Sequence, residues 1–143
     1  MSTEPLFENH TIIQATQHQV VALLTDLKNL PLWDNEITRV TPTATGAQIF
    51  RQSPALNPRE QLTVSATPHQ VQYHSQGSRL AYHLVFTLTE SAGQTAVTES
   101  LTISANPALP VPLSLLAPIA KRAFAQKLQA LATLAEKLEG VTD

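Results

Sequence analysis

Glu99 is the residue of this 143-residue chain whose type and surroundings most invite chemistry. It lies midway between Val97 and Leu101, and the two-residue period of a strand puts all three, with Ile103, on one apolar face. A carboxyl there has its charged form disfavoured by desolvation, so its pKa rises unless a cation or several donors compensate. Such a group can anchor a polar part of a ligand or act as a general acid or base. The plainer alternative is a twist or bulge that turns Glu99 to solvent, or a pairing with Arg79 near the rim of the sheet. Tyr73 and Tyr82 each carry a hydroxyl on an apolar ring, suited to orienting a ligand and equally to bonding backbone in the core. Arg51 and Glu60 fall on successive predicted strands, where they pair across the ladder in solvent, or Arg51, next to Phe50, points inward to bind a carboxylate.

Other chemistries find no support. His69 and His74 are five apart in a predicted strand and face opposite sides, and His10, His18 and His83 lie in separate elements, so no metal site is expected. Gly46, Gly77, Gly93 and Gly140 fall at turns or a helix end rather than in a phosphate-cradling loop, and no serine sits in a Gly-x-Ser-x-Gly elbow. Cysteine is absent, which removes disulfides and thiolate catalysis and fits a reducing compartment. A formal charge of -2 gives no electrostatic footprint for nucleic acid or anionic lipid. The opening MSTEPLFENH has neither a basic nor an apolar targeting stretch, and the apolar run Ala108 to Ala120 is shorter than the roughly 20 residues that span a bilayer. The expectation is a soluble, cytoplasmic protein without stable membrane insertion.

The elements that position these residues follow from periodicity. An apolar share of 43% with only 14% charged residues predicts a folded chain with one core, and no linker or repeat divides it, so residues 1–143 read as a single domain. Leu6 to Gln14 reads as a first strand. Thr16 and Gln19 form a capping-box pattern that starts a helix, whose apolar stripe is Val20, Val21, Leu23, Leu24 and Leu27. A second short helix is predicted at Leu30-Pro31-Leu32-Trp33, with Trp33 packed between the short helices and the sheet in preference to contact with a ligand. From Ile37 to Ser104, short β-rich runs are broken near Gly46, Asn57-Pro58, Pro68, Gly77-Ser78 and Ala92-Gly93, which predicts an antiparallel meander. Leu80, Tyr82, Leu84, Phe86 and Leu88 form its clearest inward face. Leu113, Leu116, Ala117, Ala120, Phe124, Leu128, Leu131, Ala135 and Leu138 then recur at three or four residues, the pattern of one long amphipathic helix. Pro118 either kinks it or marks its first turn.

This order resembles the START-like, helix-grip superfamily, within it the polyketide cyclase/dehydratase-like and lipid-transport branch. The likeness is carried by Ile12-Ile13-Gln14-Ala15-Thr16, by Val20 to Asp26, by Leu30-Pro31-Leu32-Trp33-Asp34 followed by Ile37 to Val40, and by the Ala/Leu-rich last helix ending in Leu134 to Glu139. It implies an α+β helix-grip fold: a curved antiparallel sheet of about seven strands wrapped around a long C-terminal helix, with two short helices after the first strand. It also implies a cavity between sheet and helix for a sterol, lipid, aromatic or polyketide.

The residues expected around that space are Tyr73, Tyr82, Leu84, Phe86, Glu99, Leu101, Leu116, Ala120 and Phe124. Three functions compete. The first is binding or transport of a hydrophobic small molecule, without cofactor or metal, because a cavity is implied while no catalytic cluster appears. The second is a cyclase or dehydratase, which needs two polar groups converging in the pocket. The third is a module resembling the chaperone-activator branch, with a filled interior and an exposed apolar patch on Leu109 to Leu116. That Pro-rich segment is otherwise a gate to the cavity or a loop packed on the sheet.

Overall fold

The computed structural model describes residues 4–53, 55, 57–105 and 112–141. Strand β1 (Phe7–Ile13) leads into helix α1 (Gln17–Thr25), a 3-10 turn at Leu27–Asn29 and the single-turn helix α2 (Leu30–Trp33). Six strands follow: β2 (Ile37–Pro42), β3 (Gly46–Arg51), β4 (Arg59–Thr67), β5 (Gln70–Gly77), β6 (Ala81–Ser91) and β7 (Gln94–Ala105). Helix α3 (Leu113–Val141) completes an α+β helix-grip architecture. All seven strands form one curved antiparallel sheet in the order β1-β7-β6-β5-β4-β3-β2. Consecutive strands pair throughout the meander, and β1 pairs with β7 and packs against α3.

Local chemistry accounts for these elements. Thr16 caps α1 by accepting the Gln19 backbone N–H at 3.3 Å, but the reciprocal half of the capping box is missing, because Gln19 Oε1 is buried without a partner among the described residues. The β6–β7 hairpin turns on Ala92 and Gly93, both at positive φ (54° and 80°), as a two-residue turn between right-twisted strands requires. Pro118 does not mark the start of α3: the helix begins five residues earlier, at Leu113. The carbonyl left unbonded by Pro118 belongs to Ser114, and both residues are exposed, so solvent can take it.

The core fills the space between the sheet's inner face and the helices. Tyr82, Leu84, Phe86 and Leu88 of β6 are all buried, as the alternation predicts, with Val97, Glu99 and Leu101 beside them on β7. Leu128, Leu131, Ala132 and Ala135 of α3 close the core, whereas Leu138, expected on the same stripe, is exposed. Each fully buried Leu, Ile or Phe contributes about 1.5–3 kcal/mol. Trp33 packs as expected, edge-on against Phe86 at 6.4 Å, and Phe86 in turn meets Tyr73 at 5.5 Å. On the opposite face of the sheet His74 and His83, direct partners in the β5–β6 ladder, stack with centroids 4.2 Å apart. Burial, and then the neighbouring His74, lowers the pKa of His83.

One close approach sets a testable constraint. Asn57 is buried and clasps the β5–β6 turn, its Nδ2 donating to Leu80 O (2.9 Å) and its Oδ1 accepting from Arg79 N (3.1 Å) and Leu80 N (3.2 Å). A Cβ on Gly77 would collide with that amide. Gly77→Ala should therefore cost about 2–3 kcal/mol, by displacing Asn57 from three hydrogen bonds. Urea unfolding measures it, and a loss under about 0.5 kcal/mol would mean that the clasp yields without cost.

Candidate functional site

The inward parity of β3 and β4 carries charge to the end of the sheet nearest the start of α3. Ala47 and Ile49 are buried on β3 and Arg51 continues their face, while Glu60 precedes buried Leu62 on β4. Arg51 Nε donates to Glu60 Oε2 at 2.6 Å, with side chains only 10% and 2% exposed. The expectation of a solvated pair is thereby corrected: the two side chains are buried together because both strands present them to the interior. Arg51 Nη1 also reaches Asp34 Oδ2 at 3.0 Å and Glu36 Oε1 at 3.5 Å. Asp34 stands there because α2 ends at Trp33 and the turn into β2 holds the carboxylate inward, its Oδ1 accepting the Glu36 N–H at 3.1 Å.

Lys127 of α3 completes the cluster, with Nζ 3.0 Å from Glu36 Oε1, 3.5 Å from Asp34 Oδ2 and 4.8 Å from the centre of the Phe124 ring. Glu60 Oε1 accepts from both the Tyr82 hydroxyl and Ser75 Oγ, each at 2.6 Å. Burial first, and then the Glu60 charge, pushes the Tyr82 pKa above the ordinary phenol value, so its hydroxyl keeps its proton and donates. Burial alone would lower the Arg51 pKa, but Tyr82, Glu60 and Asp34 around it more than offset that and raise it.

Two of the spaces that adjoin this cluster hold residues expected at the site. An open cleft of about 310 Å³ lies between the helix side chains Leu116, Ile119, Ala120 and Phe124 and a polar floor that includes Arg51, Glu60 and Tyr82. Beneath it is a void of about 20 Å³, bounded by Trp33, Tyr73, Leu84, Phe124 and other core residues. Of the residues named from sequence, Tyr82, Leu116, Ala120 and Phe124 line the cleft, and Tyr73 and Leu84 line the void, as Tyr82 and Phe124 also do. The Tyr73 hydroxyl donates to the Leu24 carbonyl at 2.6 Å, and burial, then Tyr82 and Asp34, raises its pKa. Phe86 and Leu101 lie in the core and line neither space.

Glu99 also lines neither space. It is 1% exposed, so it is not turned to solvent, and its partner is Asn9 of β1, directly opposite in the ladder, whose Nδ2 donates to Glu99 Oε1 at 3.0 Å. The same amide nitrogen donates to the Lys121 carbonyl of α3 at 3.0 Å, tying both strands to the helix. Burial raises the Glu99 pKa to about 7, against the opposing pull of Asn9 and Lys127.

Asp34, Glu36 and Lys127 escaped the sequence reading. Lys127 had a signal: it lies three residues after Phe124 and one before Leu128, on the apolar stripe of α3, where a solvated lysine does not belong. Among the described residues no group of His, Asp and Glu stands where it would hold a metal ion, and no helix is long and apolar enough to cross a membrane. Leu109, Pro110 and Val111 of the expected patch or gate lie outside the described residues. Leu115 and Ile119, one helical turn apart, are 62% and 68% exposed, and Ile119 borders the cleft.

Comparison with known proteins bears on what such a site is for. No curated protein matches the sequence. Solved structures share the fold at low identity: a conserved protein of Geobacillus kaustophilus (TM-score 0.73, 13% identity, 91% of this chain and 94% of that one) and a START superfamily protein of Mycobacterium smegmatis (TM-score 0.63, 16%, 96% and 98%). The di-domain aromatase/cyclase StfQ of the steffimycin biosynthetic pathway aligns over 94% of this chain and 46% of its own (TM-score 0.72, 14%). At such identities the likeness is one of fold, and the sequence itself carries the assignment further. A family model described as "Polyketide cyclase / dehydrase and lipid transport" matches residues 5–136, and the chain belongs to that START-like family.

Proposed function

We propose that this chain is a single ligand-binding domain that takes a hydrophobic small molecule into the cleft between the Tyr82 end of β6 and the first half of α3. The observation that carries this reading is the cleft itself. Its volume of about 310 Å³ is at the lower end of small-molecule sites, roughly 300–1,000 Å³. Its helix wall is apolar and its floor holds a few convergent polar groups, the usual form of such a site. Membership of a family described by both polyketide cyclisation and lipid transport supports a hydrophobic ligand and leaves its identity to experiment. Within this reading Tyr82, Leu116, Ala120 and Phe124 touch the ligand, Tyr73 and Leu84 back the floor, and Phe86, Glu99 and Leu101 hold the sheet behind it.

Cyclase or dehydratase chemistry would use the same floor, with Tyr82 as its proton donor. Binding is favoured because Glu60, the carboxylate bonded to that hydroxyl, already accepts from Arg51, Ser75 and Tyr82, which leaves few of its acceptor sites free for a substrate. The exposed Leu115 and Ile119 would serve an interaction module, yet Ile119 forms the rim of the cleft, so its exposure also suits ligand uptake.

Native mass spectrometry of the purified protein should show a bound lipid or aromatic, and the extrinsic probe 1-anilinonaphthalene-8-sulfonate should gain fluorescence on binding. Ala120→Phe, which fills the cleft from its helix wall, should weaken probe binding about tenfold or more, a loss of about 1.4 kcal/mol. Absence of both signals in the parent protein, or unchanged binding by a folded Ala120→Phe variant, would reject the cleft as the site.

A further inference from the structure

Trp33 is 6% exposed, and its indole Nε1 is buried without an acceptor among the described residues. A buried donor left unmatched is uncommon in a native fold and calls for an explanation. Trp33 also forms part of the wall of two spaces: the void of about 20 Å³ and a separate hollow of about 190 Å³ between α2 and α3, bordered by Leu32, Ala123 and Gln126. The void has room for about one water and cannot admit a larger molecule as it stands.

The spaces beside Trp33 and the cleft share lining side chains of α3. Lys127 lines the cleft, the void and the hollow, and Phe124 lines the cleft and the void. The two are three residues apart on one face of α3, with the Lys127 ammonium over the Phe124 ring. Phe124 and Lys127, with Arg51 and Tyr82, line both the cleft and the space beside the indole.

We propose that Trp33 Nε1–H is the donor for the polar atom of the ligand, and that the ligand is an apolar molecule with a neutral acceptor oxygen at its leading end, reaching Trp33 past Phe124 and Lys127. The inference rests on the binding reading above and adds the ligand's chemistry to it. An indole N–H donates only, so its partner must be an acceptor. The body must be apolar, because it lies in the cleft against Leu116, Ile119, Ala120 and Ala123 of α3. A neutral oxygen fits better than a carboxylate, because Arg51 and Lys127 are already shared among Asp34, Glu36 and Glu60, and a fourth acid would bring like charge to the cluster.

The chain has one tryptophan, so its indole gives a single cross-peak in a ¹⁵N–¹H spectrum. The test titrates two probes of near-equal shape and ring current, 2-acetylnaphthalene and 2-isopropylnaphthalene, with 2-naphthoate as the acidic analogue. The ketone should bind about fivefold more tightly than the hydrocarbon, the worth of one neutral hydrogen bond. It should move the indole proton further downfield than the hydrocarbon does, and 2-naphthoate should bind more weakly than the ketone. Trp33→Phe should equalise ketone and hydrocarbon; if that variant fails to fold, the two-probe comparison on the parent protein decides. Equal affinities with equal indole shifts would overturn the Trp33 inference and leave the binding reading standing. Tighter binding of 2-naphthoate than of the ketone would overturn the neutral-oxygen claim, and no binding of any of the three would overturn both readings.

Discussion

Arg51→Met should destabilise the fold by about 3–5 kcal/mol, the cost of leaving a buried charge without its partner. Glu60 is 2% exposed, and Arg51 is the cation bonded to it, at 2.6 Å. Removing the guanidinium leaves Ser75 and Tyr82 as the donors on the Glu60 carboxyl, each neutral and each on the same oxygen. Met preserves much of the volume of Arg51, so the loss reports charge more than a cavity. The double variant Arg51→Met/Glu60→Gln should recover part of it, with a coupling energy of about 1–3 kcal/mol, because both formal charges leave together. Urea unfolding of the parent, both single variants and the double variant closes the cycle. Strict additivity, or a single-variant loss below about 1 kcal/mol, would mean that water reaches Glu60 and that the cleft floor is wetter than its burial implies.

Such a network is weak grounds for stability, since a well-packed apolar replacement often does as well. Its retention beside a cleft is easier to understand as a binding floor, and the parent and double variants distinguish the two. If the double variant folds nearly as well as the parent yet loses binding of 2-acetylnaphthalene, the charges serve the ligand. If it binds unchanged, the floor is structural.

The fold was legible because its signals are repeated. Four alternating core residues from Tyr82 to Leu88 specify one face of β6, and the stripe of α3 recurs over about seven turns, so no single exception misleads. The site was legible only in part, because its residues are exceptions to those same patterns. Arg51 continues the inward parity of Ala47 and Ile49, but Phe50 beside it reads as the buried residue of the pair. In the structure Phe50 instead faces outward, with the Arg39 guanidinium 4.0 Å above its ring, and that cross-strand contact from β2 is invisible in a single strand. Asp34 depends on where α2 stops, and Lys127 on reading a charged residue as part of an apolar stripe. The inward placement of Glu99 followed from strand parity, whereas its partner depended on β1 pairing with β7, a contact between residues 90 apart in sequence.

Glu99 gives the second large effect, through pH. Its folded pKa of about 7 stands above the ordinary carboxyl value of 4.5 because burial disfavours the charged form, more than the Asn9 hydrogen bond and Lys127 favour it. The folded chain therefore binds more protons than the unfolded chain between pH 4.5 and 7, and stability must fall as pH rises across that interval. The contribution is fully present below about pH 4.5, is lost by the time pH has passed 7, and is flat above. Its size is on the order of 3 kcal/mol, from the width of the interval. Other groups titrate over the same range, so the useful quantity is the difference between the parent and Glu99→Gln, in which they cancel. Gln retains an acceptor for Asn9 Nδ2 and has no charge to desolvate. The variant should gain on the parent by on the order of 3 kcal/mol between pH 4.5 and pH 8, measured by urea unfolding at intervals of pH. Parallel profiles would show that Glu99 titrates as it does in the unfolded chain. A normal carboxylate in that position would require the β1–β7 edge to open enough to hydrate it, which would also free Asn9 from Lys121 and loosen the seam that holds α3 over the sheet.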